Sequence, residues 1–183
     1  MLDTLSIRGR FIIAAMIYGM IAILISMFLP FVYTETVHFN RENIVTIIPL
    51  INFKLLGLSQ LIIILTLVLL GFKRNYLSYF IAFLLLVSAL IMGYFSLLSV
   101  TLIQEHKIIF KNFQEERVYE WSEIDTLVYE YTEYERGNYI FTTKKNESFT
   151  IQETSSFGLD EKRAIYQIIN ENDIEFIEKA KSE

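Results

Sequence analysis

The sequence predicts a membrane α-helical bundle of three transmembrane helices followed by a small α+β domain, and three observations predict it. Uncharged runs long enough to cross a bilayer fill the first hundred residues, short alternating segments replace them from about Val100, and a helical pattern follows Gly158. Hydrophobic residues make up 53% of the chain and are concentrated before Gln104, a distribution foreign to a soluble globule. The organisation read from this is a transmembrane domain over 1–99 and a second domain over 100–183.

The first span is centred on residues 11–32, within 24 uncharged residues between Arg10 and Glu35. A signal peptide is the competing reading, but the run exceeds a usual hydrophobic region and Met27-Phe28-Leu29-Pro30 offers no small-residue cleavage site. The second span, residues 55–72, holds 18 uncharged residues between Lys54 and Lys73, reaching about 27 Å at helical rise. The third covers residues 76–98, where Gly93, with Ser88 and Ala89 nearby, supplies small side chains for close helix approach. Between the first two spans, Asn43 to Asn52 is apolar but too short to cross. With Pro49 near its end it suits a helix lying in the interface, a short re-entrant piece packed on the bundle, or a surface for a membrane-embedded ligand.

Orientation follows the Lys and Arg of the short loops. Arg8, Arg10, Lys73 and Arg74 sit at helix ends on one shared side, and their density puts the amino terminus in the cytoplasm and the tail outside the cell membrane. Arg41, Lys54, Lys107, Lys111 and Arg117 lie on the opposite side, so a cytoplasmic tail, reached by inverting the bundle or by a fourth crossing, stays open.

From Val100 the spacing turns to that of half-buried strands: Ile108 to Phe113, Arg117 to Trp121, Ile124 to Thr132, Tyr139 to Thr143 and Ser148 to Gln152. Gly137-Asn138 and Lys144-Lys145-Asn146 supply turns. Ala164, Ile165, Ile168 and Ile169 recur at helical spacing with Asp160 as N-cap, and Ile174, Phe176 and Ile177 suggest a second short helix. Strands then a helix give an α+β domain, an antiparallel sheet or partial barrel with the helix over its open end.

The run Ile108-Ile-Phe-Lys-Asn-Phe113, then Val118-Tyr-Glu-Trp-Ser-Glu-Ile124, further strands and a closing helix resembles the bacterial PH-like domains of Gram-positive membrane proteins, over residues 100–170. Five or six strands are recognisable where a full PH-like barrel has seven. The resemblance implies a binding or scaffolding module, in some cases one that protects bacteriocin producers, and it implies no catalytic residues.

Composition excludes several chemistries. Up to Gln104 six basic residues face three acidic ones, whereas the remainder holds ten basic and eighteen acidic, a balance of −8 that suits neither nucleic acid nor anionic headgroups. Without cysteine there is no disulfide, thiol catalysis or thiolate metal site. His38 and His106 lack ligand spacing, no phosphate loop or nucleophile motif occurs, and no cofactor is expected. Glu115, Glu116, Glu130, Glu133 and Glu135 read as a solvated acidic surface. The spans carry no Asp, Glu, Lys or Arg, which weighs against a pump.

Tyr129 and Tyr131 share a strand face with Leu127, and Tyr134 lies just beyond; these three are the candidate partner-binding residues, with rim packing as the alternative, while Trp121 is expected in the core. The expectation is a non-enzymatic protein of the lipid bilayer whose tail binds a protein or peptide, in self-immunity or in assembly of a membrane complex. The alternative is an enzyme or transporter accessory subunit working through the loop 33–54, sensitive to His38, Arg41 or Glu42.

Overall fold

The computed structural model describes residues 6–113, 115–131 and 136–180. The chain divides into two compact units, Met1–Phe39 with Ile48–Ser99, and Asn40–Ile47 with Val100–Glu183.

The first unit holds α1 (Ile7–Val37), α2 (Leu50–Phe72) and α3 (Tyr76–Phe95), each long and apolar enough to cross a membrane. Local capping sets their ends. Ser6 Oγ accepts the Gly9 N–H at 3.2 Å, so α1 starts before the apolar run and extends about 46 Å at helical rise, past a bilayer core. Pro49 precedes α2, which begins five residues earlier than its uncharged run. Asn75 Oδ1 accepts the Ser78 N–H at 2.8 Å at the start of α3, and Ser96 Oγ donates to the Gly93 carbonyl at 2.6 Å where it ends.

The spans form a layer, α2 lying between α1 and α3, which make little contact with each other. Polar and small side chains of α2 explain the central position. Gln60 accepts a hydrogen bond from the Tyr18 hydroxyl on α1, and Ser59 Oγ donates to the Ala89 carbonyl on α3 at 2.7 Å. Gly93 faces Ser59 so closely that an added Cβ would stand 3.2 Å from its hydroxyl, whereas a Cβ at Gly57 would meet nothing. Both Gly→Ala changes gain helix propensity, so the pair isolates packing. Gly93→Ala is expected to be less stable than Gly57→Ala by about 1 kcal/mol, read from thermal unfolding in detergent micelles.

The second unit contains β1 (Asn43–Ile47), β2 (Val100–Gln104), β3 (Lys107–Lys111), β4 (Glu116–Glu120), a 3₁₀ turn (Trp121–Glu123), β5 (Ile124–Tyr131), β6 (Asn138–Thr143), β7 (Ser148–Gln152), α4 (Leu159–Glu171) and β8 (Glu175–Ala180). Two four-stranded sheets run in the orders β1-β2-β3-β4 and β7-β6-β5-β8. All neighbours are antiparallel except β5 and β8. Ile165, Ile168 and Ile169 of α4 pack into the same core as Ile108, Trp121, Leu127 and Phe141.

Three sequence expectations are corrected here. The segment Asn43 to Ile47 is neither an interfacial helix nor a re-entrant piece. It is β1, with Thr46 opposite Leu102, Ile47 opposite Thr101, and Val45 and Ile47 in the core, so residues 40–47 leave the 1–99 domain and join the second unit. Its β-branched run was a strand signal, but its partner lies beyond two helices in the sequence. Ile174 to Ile177 is likewise not helical. Asp173, at φ 52°, stops the chain after α4, and β8 then pairs in parallel with β5, Phe176 opposite Leu127. The N-cap of α4 is Gly158; Asp160 sits in the first turn, where its charge favours the helix N-terminus.

Pairing of β1 with β2 carries a topological consequence. One sheet cannot be split by a bilayer, so the α1–α2 connection and the chain after Ser99 share a side, as three crossings require.

Candidate functional site

Two features of the second unit bring polar groups and aromatic rings together. The first is the seam between edge strands β4 and β7. The meander that builds each sheet leaves one of these strands unpaired on its outer side, and among the described residues no ladder joins them. Their side chains meet instead: the Tyr119 and Phe149 rings stack at 4.4 Å, with Phe110 edge-on to Phe149 at 5.1 Å.

Alongside lies a groove of about 380 Å³, lined by Val118, Tyr119, Ser122, Glu123, Lys144 and Glu147 among others. Lys144 Nζ donates to the Ser122 carbonyl at 2.7 Å, and Lys145 stands 3.8 Å from Glu123. Hydrogen bonds at the strand ends give the phase of each edge. Trp121 N–H donates to the His106 carbonyl and Asn112 N–H to the Glu115 carbonyl, so Tyr119 and Arg117 bond inward to β3 while Glu116, Val118 and Glu120 turn their backbone groups outward. The Glu120 N–H is taken by Glu123 Oε2 at 3.3 Å. Val118, an aliphatic side chain 45% exposed, sits at the middle of this edge. By the same alternation Ser148 and Thr150 point outward from β7.

The second feature is a tyrosine cluster beside Glu153. Tyr129 Oη donates to Glu153 Oε2 at 2.6 Å, and Lys162 Nζ of α4 lies 2.7 Å from Glu153 Oε1. The Tyr129 ring packs on Tyr139 at 4.7 Å, and Tyr139 stacks on Phe157 at 5.2 Å. Gly137 passes so close to the Tyr129 ring that no Cβ fits. Burial pushes the Glu153 carboxyl up, but the Lys162 ammonium and the Tyr129 hydroxyl outweigh it and hold the group below its ordinary value. Burial and the bond to Glu153 push Tyr129 up to about 12. Tyr139 and Tyr166 are raised too, chiefly by burial.

The candidate tyrosines therefore differ in setting. Tyr129 is part-buried and hydrogen-bonded, Tyr131 is exposed at the end of β5 with its ring 6.3 Å from that of Tyr129, and Tyr134 lies outside the described residues, as do Glu133 and Glu135. Of the other acids, Glu115 pairs with Arg117 at 2.9 Å and Glu116 stands 3.8 Å from Lys111. Among the described residues no three His, Asp or Glu side chains converge on a metal position.

Glu153 titrates with a clear sign. Its folded-state value is depressed, so the stability it contributes is present at neutral pH and is lost as pH falls through the carboxylate range. Glu153→Gln is expected to cost about 2 kcal/mol at neutral pH, with the gap to the native chain closing on acidification, and to bring the Tyr129 phenol down toward its ordinary value. Urea unfolding across pH and phenolate absorbance check the two parts.

Val118, Tyr119 and Phe149 were not singled out from sequence as a site, because nothing local marks which strands end a sheet. No protein-family model matches this chain, and no curated protein matches it either.

Proposed function

We propose that this chain is a non-enzymatic, multi-pass protein of the cell membrane whose second unit binds a protein or peptide partner. The observation that carries this reading is the β4–β7 seam, where two unpaired edges, an exposed aliphatic side chain and aromatic rings adjoin a groove that runs from β4 to the β6–β7 turn. Such a combination is suited to recognition of polypeptide. The PH-like resemblance of residues 100–170 supports a scaffolding role, in bacteriocin self-immunity or in assembly of a membrane complex.

The partner test uses p-benzoylphenylalanine incorporated at position 118, with position 179 as an exposed control on β8. Illumination of living cells is expected to yield a discrete adduct from position 118 alone; equal or absent adducts at both positions would overturn the reading.

The same proposal puts the amino terminus in the cytoplasm and the second unit outside, on the strength of Arg8, Arg10, Lys73 and Arg74 at the helix ends. Single cysteines at the exposed positions Thr36 and Ser155 report this, since the chain has none of its own. Both are expected to react with an impermeant maleimide in intact cells. Reaction of neither before lysis means the inverted orientation, and reaction of only one would contradict the β1–β2 pairing.

A further inference from the structure

We infer that the β4 edge accepts an extended peptide segment as an added strand, and that the segment carries basic residues at two positions four apart with an apolar residue midway between them. This rests on the proposed partner-binding role and specifies its chemistry. Outward N–H and C=O groups at Glu116 and Val118 are the main-chain half of the recognition. Beside them a groove opens between Val118 and Tyr119 of β4 and Thr143, Lys144 and Glu147 around the β6–β7 turn.

Side chains supply the other half. Residues 116, 118 and 120 alternate onto one face of β4, so an added strand meets an acid, an aliphatic group and an acid in succession. Glu116 and Glu120 are exposed, and Val118 is exposed between them. Cross-strand neighbours of opposite charge stabilise a pair and like charges oppose it. Basic residues opposite both glutamates and a valine-like residue opposite Val118 therefore match the edge in either strand direction.

The same arithmetic disfavours a second copy as the occupant. Two β4 strands paired antiparallel about Val118 set Glu116 of each against Glu120 of the other, twice. The edge is protected against its own kind and open to a basic strand, in keeping with the acidic balance of the chain after Gln104.

The test uses the full chain in detergent micelles and fluorescein-labelled peptides read by anisotropy. The probes are acetyl-Thr-Lys-Thr-Val-Thr-Lys-Thr-amide, its analogue with both lysines replaced by glutamate, and the two mixed forms. The lysine peptide is expected to bind about tenfold tighter than the glutamate one, a preference that shrinks with added salt. Val118→Pro deletes an outward N–H without touching a ladder bond, as an edge strand tolerates, and should lose that binding, whereas Val118→Ala should keep it. Glu116→Lys gives up the ion pair with Lys111 but leaves the β3–β4 ladder intact, so it decides the matter even if the proline variant misfolds. It should shift the preference to one of the two mixed peptides, and which one reports strand direction. No charge preference in the native chain, or no response to Glu116→Lys, would overturn the inference. If position 118 still cross-links a partner while the peptides show no preference, edge pairing fails and the partner-binding reading stands; loss of both removes both.

Discussion

Trp121→Ala is expected to destabilise the second unit by about 3–5 kcal/mol. The side chain is 2% exposed and belongs to the core that joins both sheets and α4. Its ring stands edge-on to Phe141 at 6.0 Å, and its indole Nε1 donates to the Gln104 carbonyl at 2.9 Å, tying the turn between the sheets back to β2. Alanine leaves a cavity and an unpaired carbonyl together. Trp121→Phe restores most of the volume but not the donor, so it should recover much of the loss and leave about 1–2 kcal/mol. Far-ultraviolet circular dichroism during urea unfolding reads both variants, since the native fluorescence comes from the chain's single tryptophan.

A fragment beginning at Val100 is expected to fold poorly or not at all, because the second unit is not contiguous in sequence. Without β1 it loses the buried side chains of Val45 and Ile47, about 1.5–3 kcal/mol each, and exposes the outer edge of β2. That sum rivals the whole stability of a small domain. The remedy is specific. Ile47 lies opposite Thr101, which sets Ile48 opposite Val100, so a tight Asn-Gly turn can join residues 40–48 to Val100 as a hairpin in the native register. The joined chain should unfold cooperatively in urea where the bare fragment does not. Equal cooperativity in the two would contradict membership of β1 in the sheet.

Both outcomes bear on what could be read in advance. The cores of the three spans were legible because a bilayer imposes a local rule: enough successive apolar residues to cross it, without an ionised side chain. Their ends were not, since Ser6, Pro49 and Ser96 act through caps and turns rather than hydropathy. The strands β3 to β7 were legible from alternation such as Phe149 and Ile151 among Ser148, Thr150 and Gln152, whose pairing partners are near in sequence. Trp121 was expected in the core and lies there.

Of the candidate site, sequence marked Tyr129 and Tyr131 as sharing a strand face. It did not foresee Glu153 and Lys162 around Tyr129, which come from β7's end and from α4. Nor did it indicate that β4 and β7 would be left as facing edges, because which strands end a sheet depends on how the meanders fold against each other.

By itself, then, the sequence determined the three spans, the acidic α+β character of the tail and its local hairpins, since each depends on neighbours within one element or one turn. Only tertiary structure decided that Asn43 to Ile47 is a strand, that Glu175 to Ala180 runs beside β5, and that β4 and β7 end their sheets as facing edges. Those outcomes rest on hydrogen bonds and burial against residues far along the chain, and the free energy of such contacts has no local signature.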